Sequence, residues 1–377
     1  MGGIWQYSAA LVRILAEDRS NSYFVFHLDD KSDIAQIVKR APNMELVNNR
    51  DVHQASFISK IGRKIKSQTS AIAGVRKEPD SLLDLICKKY RIDIIHCPYQ
   101  FLPQSRYAAS VSTLHDVQEI YFPEYFTAED RQYRATAHLN IVRKASHLIV
   151  SYDHVKQDLI NYFQADSDKV SVVLLDMDKL WFERIEARKP EQKLPAKFLL
   201  MPANVWKHKN HLGLAKAVKK IKDEKNCTVQ VVCTGGNKEP WFNVVDEYLR
   251  QNNIRDQFLF VGSVSEEELL WYYKNCYAVV VPTLYEAGSF PLMEAILLHV
   301  PVVCSNVTSL PETIGDPQFL FDPRVTESIA SVVYKLWSDE DFCAASRENT
   351  YMQAPGLINT GALEKIQNLY SKIANQV

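Results

Sequence analysis

Residues 278–311, AVVVPTLYEAGSFPLMEAILLHVPVVCSNVTSLP, decide the fold. Residues 278–282 are a short apolar run of the kind that fills a strand buried on both faces. The run breaks at Thr283 into a polar, small-residue loop, Tyr285-Glu286-Ala287-Gly288-Ser289-Phe290. Pro291 then supplies a first-turn signal, and 292–298 reads as a helix. After His299 a second buried run occupies 300–304. Strand, loop, helix, strand is one βαβ unit, and its loop lies at the carboxyl end of the first strand, where open parallel sheets bind ligands.

Two carboxylates bracket that loop. Glu286 precedes the Gly-Ser bend and Glu294 lies in the first turn or so of the helix, with seven residues between them. A helix start offers unpaired N–H groups and positive potential, which suit phosphates or hydroxyls. Gly288 and Ser289 let a ligand approach that backbone closely. Glu294 is placed to grip a diol such as a ribose, and Glu286 another hydroxyl or a developing charge. Spacing alone fits equally well a helix-start carboxylate and a solvated loop acid.

Working outward, the same alternation repeats on both sides. Strands are expected at 23–28, 92–97, 110–114, 146–150 and 170–175, with helices at 128–144 and 155–163. The pattern restarts with strands at 198–201, 229–233 and 258–261 and helices at 211–221, 241–252 and 266–274. Residues 319–321, helix 328–336 and a last helix at 362–373 complete it. Such alternation predicts α/β architecture with parallel sheets covered on both faces. The polar stretch 183–193 reads as a linker between two halves. The domains expected are 1–185, 186–360 and a terminal segment 361–377.

Composition narrows the class. Lysine plus arginine number 44 against 45 aspartates and glutamates, so no global field argues for a nucleic-acid partner. No apolar run approaches the roughly 20 residues of a membrane span, and no secretory signal pattern opens the chain. Seven scattered cysteines, an odd number mostly inside apolar runs, read as free thiols of a cytoplasmic protein. Residues 57–89 place isoleucines at helical spacing among many lysines and arginines. A solvated domain face explains that pattern, with peripheral contact with an anionic membrane as the alternative.

Glu286, Glu294, Ala295, then Pro301-Val302-Val303, Ser309-Leu310-Pro311-Glu312 and Gly315 resemble the retaining nucleotide-sugar glycosyltransferases of family four (glycosyl transferases group 1). The family's usual loop is Glu-Gly-Phe-Gly-hydrophobic-Pro; here it is Glu-Ala-Gly-Ser-Phe-Pro, keeping both acids and the proline. The resemblance implies the GT-B fold, two Rossmann-like doubly wound parallel-sheet domains facing a central cleft, with residues 361–377 crossing back to the first. It is clearest from about residue 93 to 322.

Further site residues follow from the same resemblance. Asn204 through His211 is similar to the family's phosphate loop, in which an arginine stands five residues before a lysine. The lysine is Lys209; the arginine position holds Asn204, with Lys207 a candidate substitute. His208 and His211 read as a surface pair at a helix start, not as metal ligands. Thr113-Leu114-His115-Asp116 resembles the segment whose histidine lies over the donor sugar. Gly262-Ser263-Val264 occupies the position that cradles the nucleotide base. Asp176-Met177-Asp178 reads as turn chemistry, not a metal–diphosphate bridge.

The implied catalytic set is therefore His115, Glu286 and Lys209. The donor-binding set is Asn204, Lys209, Val264, Glu286, Gly288, Ser289, Phe290, Pro291, Glu294, Gly2 and Gly3. The double glycine would face the donor phosphates. The family's strand before it is missing, which implies a true start upstream of Met1.

The expected partners are a nucleotide-sugar donor and a glycan or lipid-linked acceptor, with no metal and no other cofactor. A hexose transfer of mannosyltransferase type is the leading expectation, in polysaccharide, O-antigen or other glycoconjugate synthesis. Another GT-B enzyme, such as a nucleotide-sugar epimerase, and a non-catalytic nucleotide-sugar-binding subunit stay open.

Overall fold

A computed structural model describes residues 3–26, 32–47, 80–177, 181–237 and 240–376. The chain divides into two compact units, 1–176 with 360–377, and 177–359.

The second unit is one parallel sheet with helices on both faces. Its strands are β7 (Leu199–Pro202), β8 (Val231–Thr234), β9 (Phe258–Gly262), β10 (Ala278–Val281), β11 (Val302–Ser305) and β12 (Leu320–Phe321), in the spatial order β12-β11-β10-β7-β8-β9. The order reverses between β7 and β10, whose register pairs Ala278 with Leu199 and Val279 with Leu200. Such a switch point opens a crevice at the strands' carboxyl ends. Val279, Val280, Val302 and Val303 have no exposed surface. Each β-branched side chain suits a pleated strand and contributes about 1.5–3 kcal/mol of burial.

Helix α10 (Phe290–Leu297) follows β10, as its proline predicts. Helix α7 (His211–Lys225) follows β7, α8 (Pro240–Gln251) follows β8 and α9 (Glu266–Asn275) follows β9. Ser265 and Glu268 form a reciprocal capping box on α9.

The stretch read as a linker is attached to this unit. Arg188 N–H donates to the Glu267 carbonyl at 2.9 Å, and the Gln192 amide reaches the Tyr272 hydroxyl. These bonds tie residues 188 and 192 to α9, within the unit that begins at 177.

In the first unit the described strands form two sheets. β1 (Tyr23–Phe26) pairs with β2 (Met44–Val47), and β3 (Ile94–Cys97), β4 (Ala109–Thr113), β5 (His147–Val150) and β6 (Val170–Val172) lie side by side, all parallel. Helix α1 (Gly3–Leu15) packs Leu11, Ile14 and Leu15 against Val111 and Ile149. The last helix, α14 (Ala362–Ala374), adds Ile366, Leu369, Tyr370 and Ile373 to the same core. Asp176 fastens its approach, accepting from Thr360 N–H and the Thr360 hydroxyl, both at 2.7 Å. The expected turn role would be local, whereas these bonds reach across the chain to residue 360; Asp178 lies outside the described residues.

All seven cysteines are free. No helix of the described residues is long and apolar enough to cross a membrane. Most of 57–89 lies outside the described residues. In its described end, helix α3 (Leu82–Tyr90), Lys88 pairs with Asp80 at 2.8 Å and lies over the Tyr107 ring.

Candidate functional site

The site is built at the tips of β7 and β10. After β7 a single tight turn, Lys207–Lys209, carries the chain to Asn210, which adopts the left-handed conformation (φ 63°). Asn210 caps α7 by accepting from Gly213 N–H at 3.2 Å. Its amide nitrogen donates to the carbonyls of Pro282 and Pro323, both at 2.9 Å. A Cβ on residue 213 would stand 2.5 Å from the Asn210 carboxamide, so the glycine inside α7 makes room for the cap. Two backbone carbonyls of other loops are thereby fixed to the turn that carries Lys209.

The β10 loop is stitched to that turn from its own side. The Thr283 hydroxyl lies 3.0 Å from the His208 carbonyl and 2.9 Å from that of Tyr285, and Leu284 N–H donates to His208 at 2.7 Å. Glu286 N–H donates to the Thr308 hydroxyl, and the Ser309 hydroxyl to the Glu286 carbonyl, each at 3.3 Å. With both backbones held, the Lys209 ammonium and the Glu286 carboxylate form a direct ion pair. Their side chains are only 15% and 12% exposed, so solvent screens the pair weakly. They line one hollow with Ala203, Pro282, Thr283 and Pro291.

Ser289, Phe290 and Pro291 form the entry to α10. Ser289 is 1% exposed, makes no side-chain cap bond, and its hydroxyl has no hydrogen-bond partner. A buried hydroxyl without a partner at a helix N-terminus costs free energy that a polar ligand would recover. Gly288 and Phe290 are half-buried beside it. One turn further, Glu294 is 6% exposed, and its Oε2 accepts from the Tyr273 hydroxyl at 2.8 Å. Burial and the neighbouring Glu294 charge push the Tyr273 phenol well above its ordinary range, so it stays a donor.

Asn204 does not stand in for a cation. Its Oδ1 accepts from Gly236 N–H at 2.6 Å and so ties the β7 tip to the β8 tip. A Cβ on residue 235 (φ 102°) would meet the backbone of Ala203 and Asn204 at 2.7 Å, so the close approach needs glycine. Lys207 lies over the Trp241 ring instead of lining the hollow. Val264 is half-buried in the turn after β9.

The two histidines depart from the surface pair expected. His211 has no exposed surface, and burial, with the Lys209 charge second, lowers its pKa to about 3. His208 is half-buried and lowered to about 4 by the same causes in the same order. Both are neutral near pH 7, which leaves Lys209 as the cation facing the hollow. Among the described residues no cluster of three potential metal ligands occurs.

His115 stands in the first unit, just past β4. Its Nε2 donates to the Pro98 carbonyl at 2.7 Å, and its ring meets the Tyr7 ring edge-on at 4.7 Å. A carbonyl accepts only, so Nε2 carries the proton and Nδ1 the lone pair. Burial lowers its pKa, and the ring is neutral near pH 7. Gly3 begins α1 as helical backbone, not as part of a loop; Gly2 lies outside the described residues. Lys209, Glu286, Ser289, Pro291 and Glu294 thus gather on one side of one sheet.

Asn210, Thr283 and Tyr273 are the residues that spacing did not single out. The first two act through main-chain carbonyls, and Tyr273 sits on a different helix from the acid it contacts. Only Asn210 leaves a trace in the sequence, as a capping residue directly before an apolar helical pattern.

Residues 183–353 match the family of glycosyl transferases group 1. The match covers most of the second unit, and the fold is that of GT-B glycosyltransferases. The chain is 25% identical over 351 residues to O-antigen chain mannosyltransferase B of Escherichia coli, covering 90% of this chain and 88% of the relative. It is also 27% identical to O-antigen chain mannosyltransferase RfbU of Salmonella typhimurium over 240 residues, 64% of each chain. Sucrose-phosphate synthase from Thermosynechococcus elongatus has the same fold, with a TM-score of 0.67 at 17% identity over 100% of this chain and 94% of that one.

Proposed function

We propose that the chain transfers a hexose, mannose first among candidates, from a nucleotide-sugar to an acceptor hydroxyl during O-antigen or other polysaccharide synthesis. The transfer retains the anomeric configuration and needs no metal. The observation that carries the reading is the weakly solvated Lys209–Glu286 pair in one hollow with the start of α10. The names of the mannosyltransferase relatives supply the sugar.

In this reading the diphosphate sits between Lys209 and the N–H groups at Ser289 and Phe290. The developing charge meets a fixed cation and fixed dipoles, which need no reorganisation as the bond breaks. Glu286, already positioned through its main chain, accepts from donor sugar hydroxyls. Glu294, whose Oε2 the Tyr273 hydroxyl holds before the donor arrives, takes the ribose diol. The His115 Nδ1 lone pair is free to accept from a hydroxyl. The bond from the anomeric carbon to the phosphate oxygen breaks with its electron pair going to phosphate. The acceptor oxygen bonds that carbon from the same face, and the acceptor proton passes to the departing phosphate oxygen.

The test is a thermal-shift panel of UDP-, GDP- and ADP-sugars in excess EDTA, followed by NMR of the transfer product. One nucleotide-mannose should raise the melting temperature, and the product should keep the donor's anomeric configuration. No shift with any donor would overturn the reading, and an inverted product would overturn the mechanism.

A further inference from the structure

Lys209, the cation facing the hollow, already has an anionic partner inside the second unit. Its ammonium donates to the Glu286 carboxylate, and the two side chains are 15% and 12% exposed. The hollow that they line has a volume of about 10 Å³, room for no more than a single water. A diphosphate that reaches the ammonium therefore either displaces the carboxylate or lies against it.

The carboxylate is not placed to withdraw. Glu286 N–H donates to the Thr308 hydroxyl, and the Glu286 carbonyl accepts from the Ser309 hydroxyl. Thr308 holds its end of this contact in the left-handed conformation (φ 51°), which a β-branched residue rarely adopts. Backbone held so far from its preference persists only where the surrounding contacts over-determine it. Ser309 leads directly into α11 (Leu310–Ile314), whose Leu310 and Ile314 have no exposed surface. The main chain of Glu286 is thus tied to a buried segment.

Charges that solvent screens weakly interact strongly, whether they attract or repel. A nucleoside diphosphate brings its phosphates to Lys209 and leaves the carboxylate beside them without its cation. It carries no sugar hydroxyl to give Glu286 in exchange. A nucleotide-sugar brings the same phosphates with a ring of hydroxyls attached, and each hydroxyl can donate to a carboxylate. Parting the pair costs the same for both ligands, and only the second offsets that cost.

We propose that Glu286 is a specificity-determining residue that favours the nucleotide-sugar over the nucleoside diphosphate left after transfer, by competing with the diphosphate for Lys209. This rests on the transferase reading above. Once the sugar has gone to the acceptor, the carboxylate regains Lys209 and the diphosphate leaves.

Calorimetric titrations test this with GDP against GDP-mannose, UDP against UDP-glucose and ADP against ADP-glucose, on wild type and Glu286→Gln, in EDTA and without acceptor. Glutamine keeps the shape of the side chain and removes its charge. For the base that binds, the diphosphate should tighten by about tenfold or more in the variant, while the nucleotide-sugar stays level or weakens. A damaged site would weaken both ligands, so tightening of the diphosphate alone reads the competition. Glu286→Asp keeps the charge but draws it back from Lys209 by one methylene, and should tighten the diphosphate by about threefold. It carries the test if the glutamine variant does not fold.

A diphosphate Kd that is unchanged or weaker in the variants overturns the competition. Equal tightening of the diphosphate and its nucleotide-sugar also overturns it, because Glu286 would then repel any anion and select neither. A wild type that binds none of the six ligands overturns the transferase reading first, and this inference with it.

Discussion

The strand tips of the two units solve different problems. At the tips of β7 and β10 a charged pair, Lys209 and Glu286, is held by side chains that bond main-chain carbonyls. At the tip of β4 the corresponding polar residue, His115, is neutral, its proton given to a carbonyl, and its neighbours are aromatic. The first arrangement suits a ligand portion that carries and gains charge; the second suits a neutral one recognised by shape. Removing charge should therefore abolish function on one side and be nearly silent on the other.

The largest effect follows from that contrast. Lys209→Met should lower the transfer rate by about 10³-fold, near the ~4 kcal/mol typical of a lost fixed donor at a developing anion. Folding should persist, because the residue lies at a loop tip. The check is kcat with saturating donor, alongside the urea midpoint. A loss of less than tenfold would break the assignment of the diphosphate to this unit.

Next comes the scaffold under that lysine. Asn210→Ala removes a cap, leaves the carbonyls of Pro282 and Pro323 without a buried donor, and puts alanine at φ 63°. These losses together should destabilise the second unit by about 3 kcal/mol. Asn210→Gly relieves only the backbone part, so its urea midpoint should fall between the two.

How far such features can be read in advance differs by region. The βαβ unit at 278–311 is legible because every strand residue but Ser305 is apolar and a proline starts the helix. The ion pair of Lys209 with Glu286 follows from two strand tips that a parallel sheet must bring together. Helix α13 (Glu340–Ile358) is invisible to periodicity. Its buried side includes Ser346, Asn349 and Thr350, so no apolar stripe forms. The Ser346 hydroxyl instead serves the first residue of β11, lying 2.8 Å from Val302 N and 2.9 Å from its carbonyl. The β2 strand and helix α2 (Asp33–Arg40) pass unnoticed because each is short and the strand is mostly half-buried.

A pH experiment probes both units at once, with a smaller effect. Burial, with the His115 charge second, holds His96 to about 4; burial and then Lys209 hold His211 to about 3. An unfolded histidine binds its proton near pH 6.5 while these stay neutral, so the unfolded chain binds more protons below that pH. Their contribution to stability is complete above pH 6.5 and is lost as pH falls toward the native values. Between pH 7.5 and 5.5 each should remove about 1.4 kcal/mol. Urea midpoints at the two pH values measure the slope, to which His147 and His208, both lowered to about 4, also contribute; His211→Gln should reduce the loss by about 1.4 kcal/mol. An unchanged slope would show that His211 is protonated or solvated in the native state.

The smallest effect on ligand binding sharpens the donor side itself. Tyr273→Phe removes the hydroxyl that holds Glu294 Oε2 and nothing else of size, since the ring stays buried. Losing one hydrogen bond to a charged, 6% exposed acceptor should cost about 1.5–3 kcal/mol where no water replaces it, and nearer 1 where one does. The donor, once bound, offers Glu294 new hydroxyl partners from its ribose. The bound state should therefore suffer less than the free state, and the nucleotide's Kd should stay level or tighten while the melting temperature falls. Calorimetric titration of the nucleoside diphosphate, run on wild type and variant, measures this sign. A Kd weakened tenfold would mean that the tyrosine orients the carboxylate for the ribose; a level or tighter one would mean that it only shelters the acid until the donor arrives.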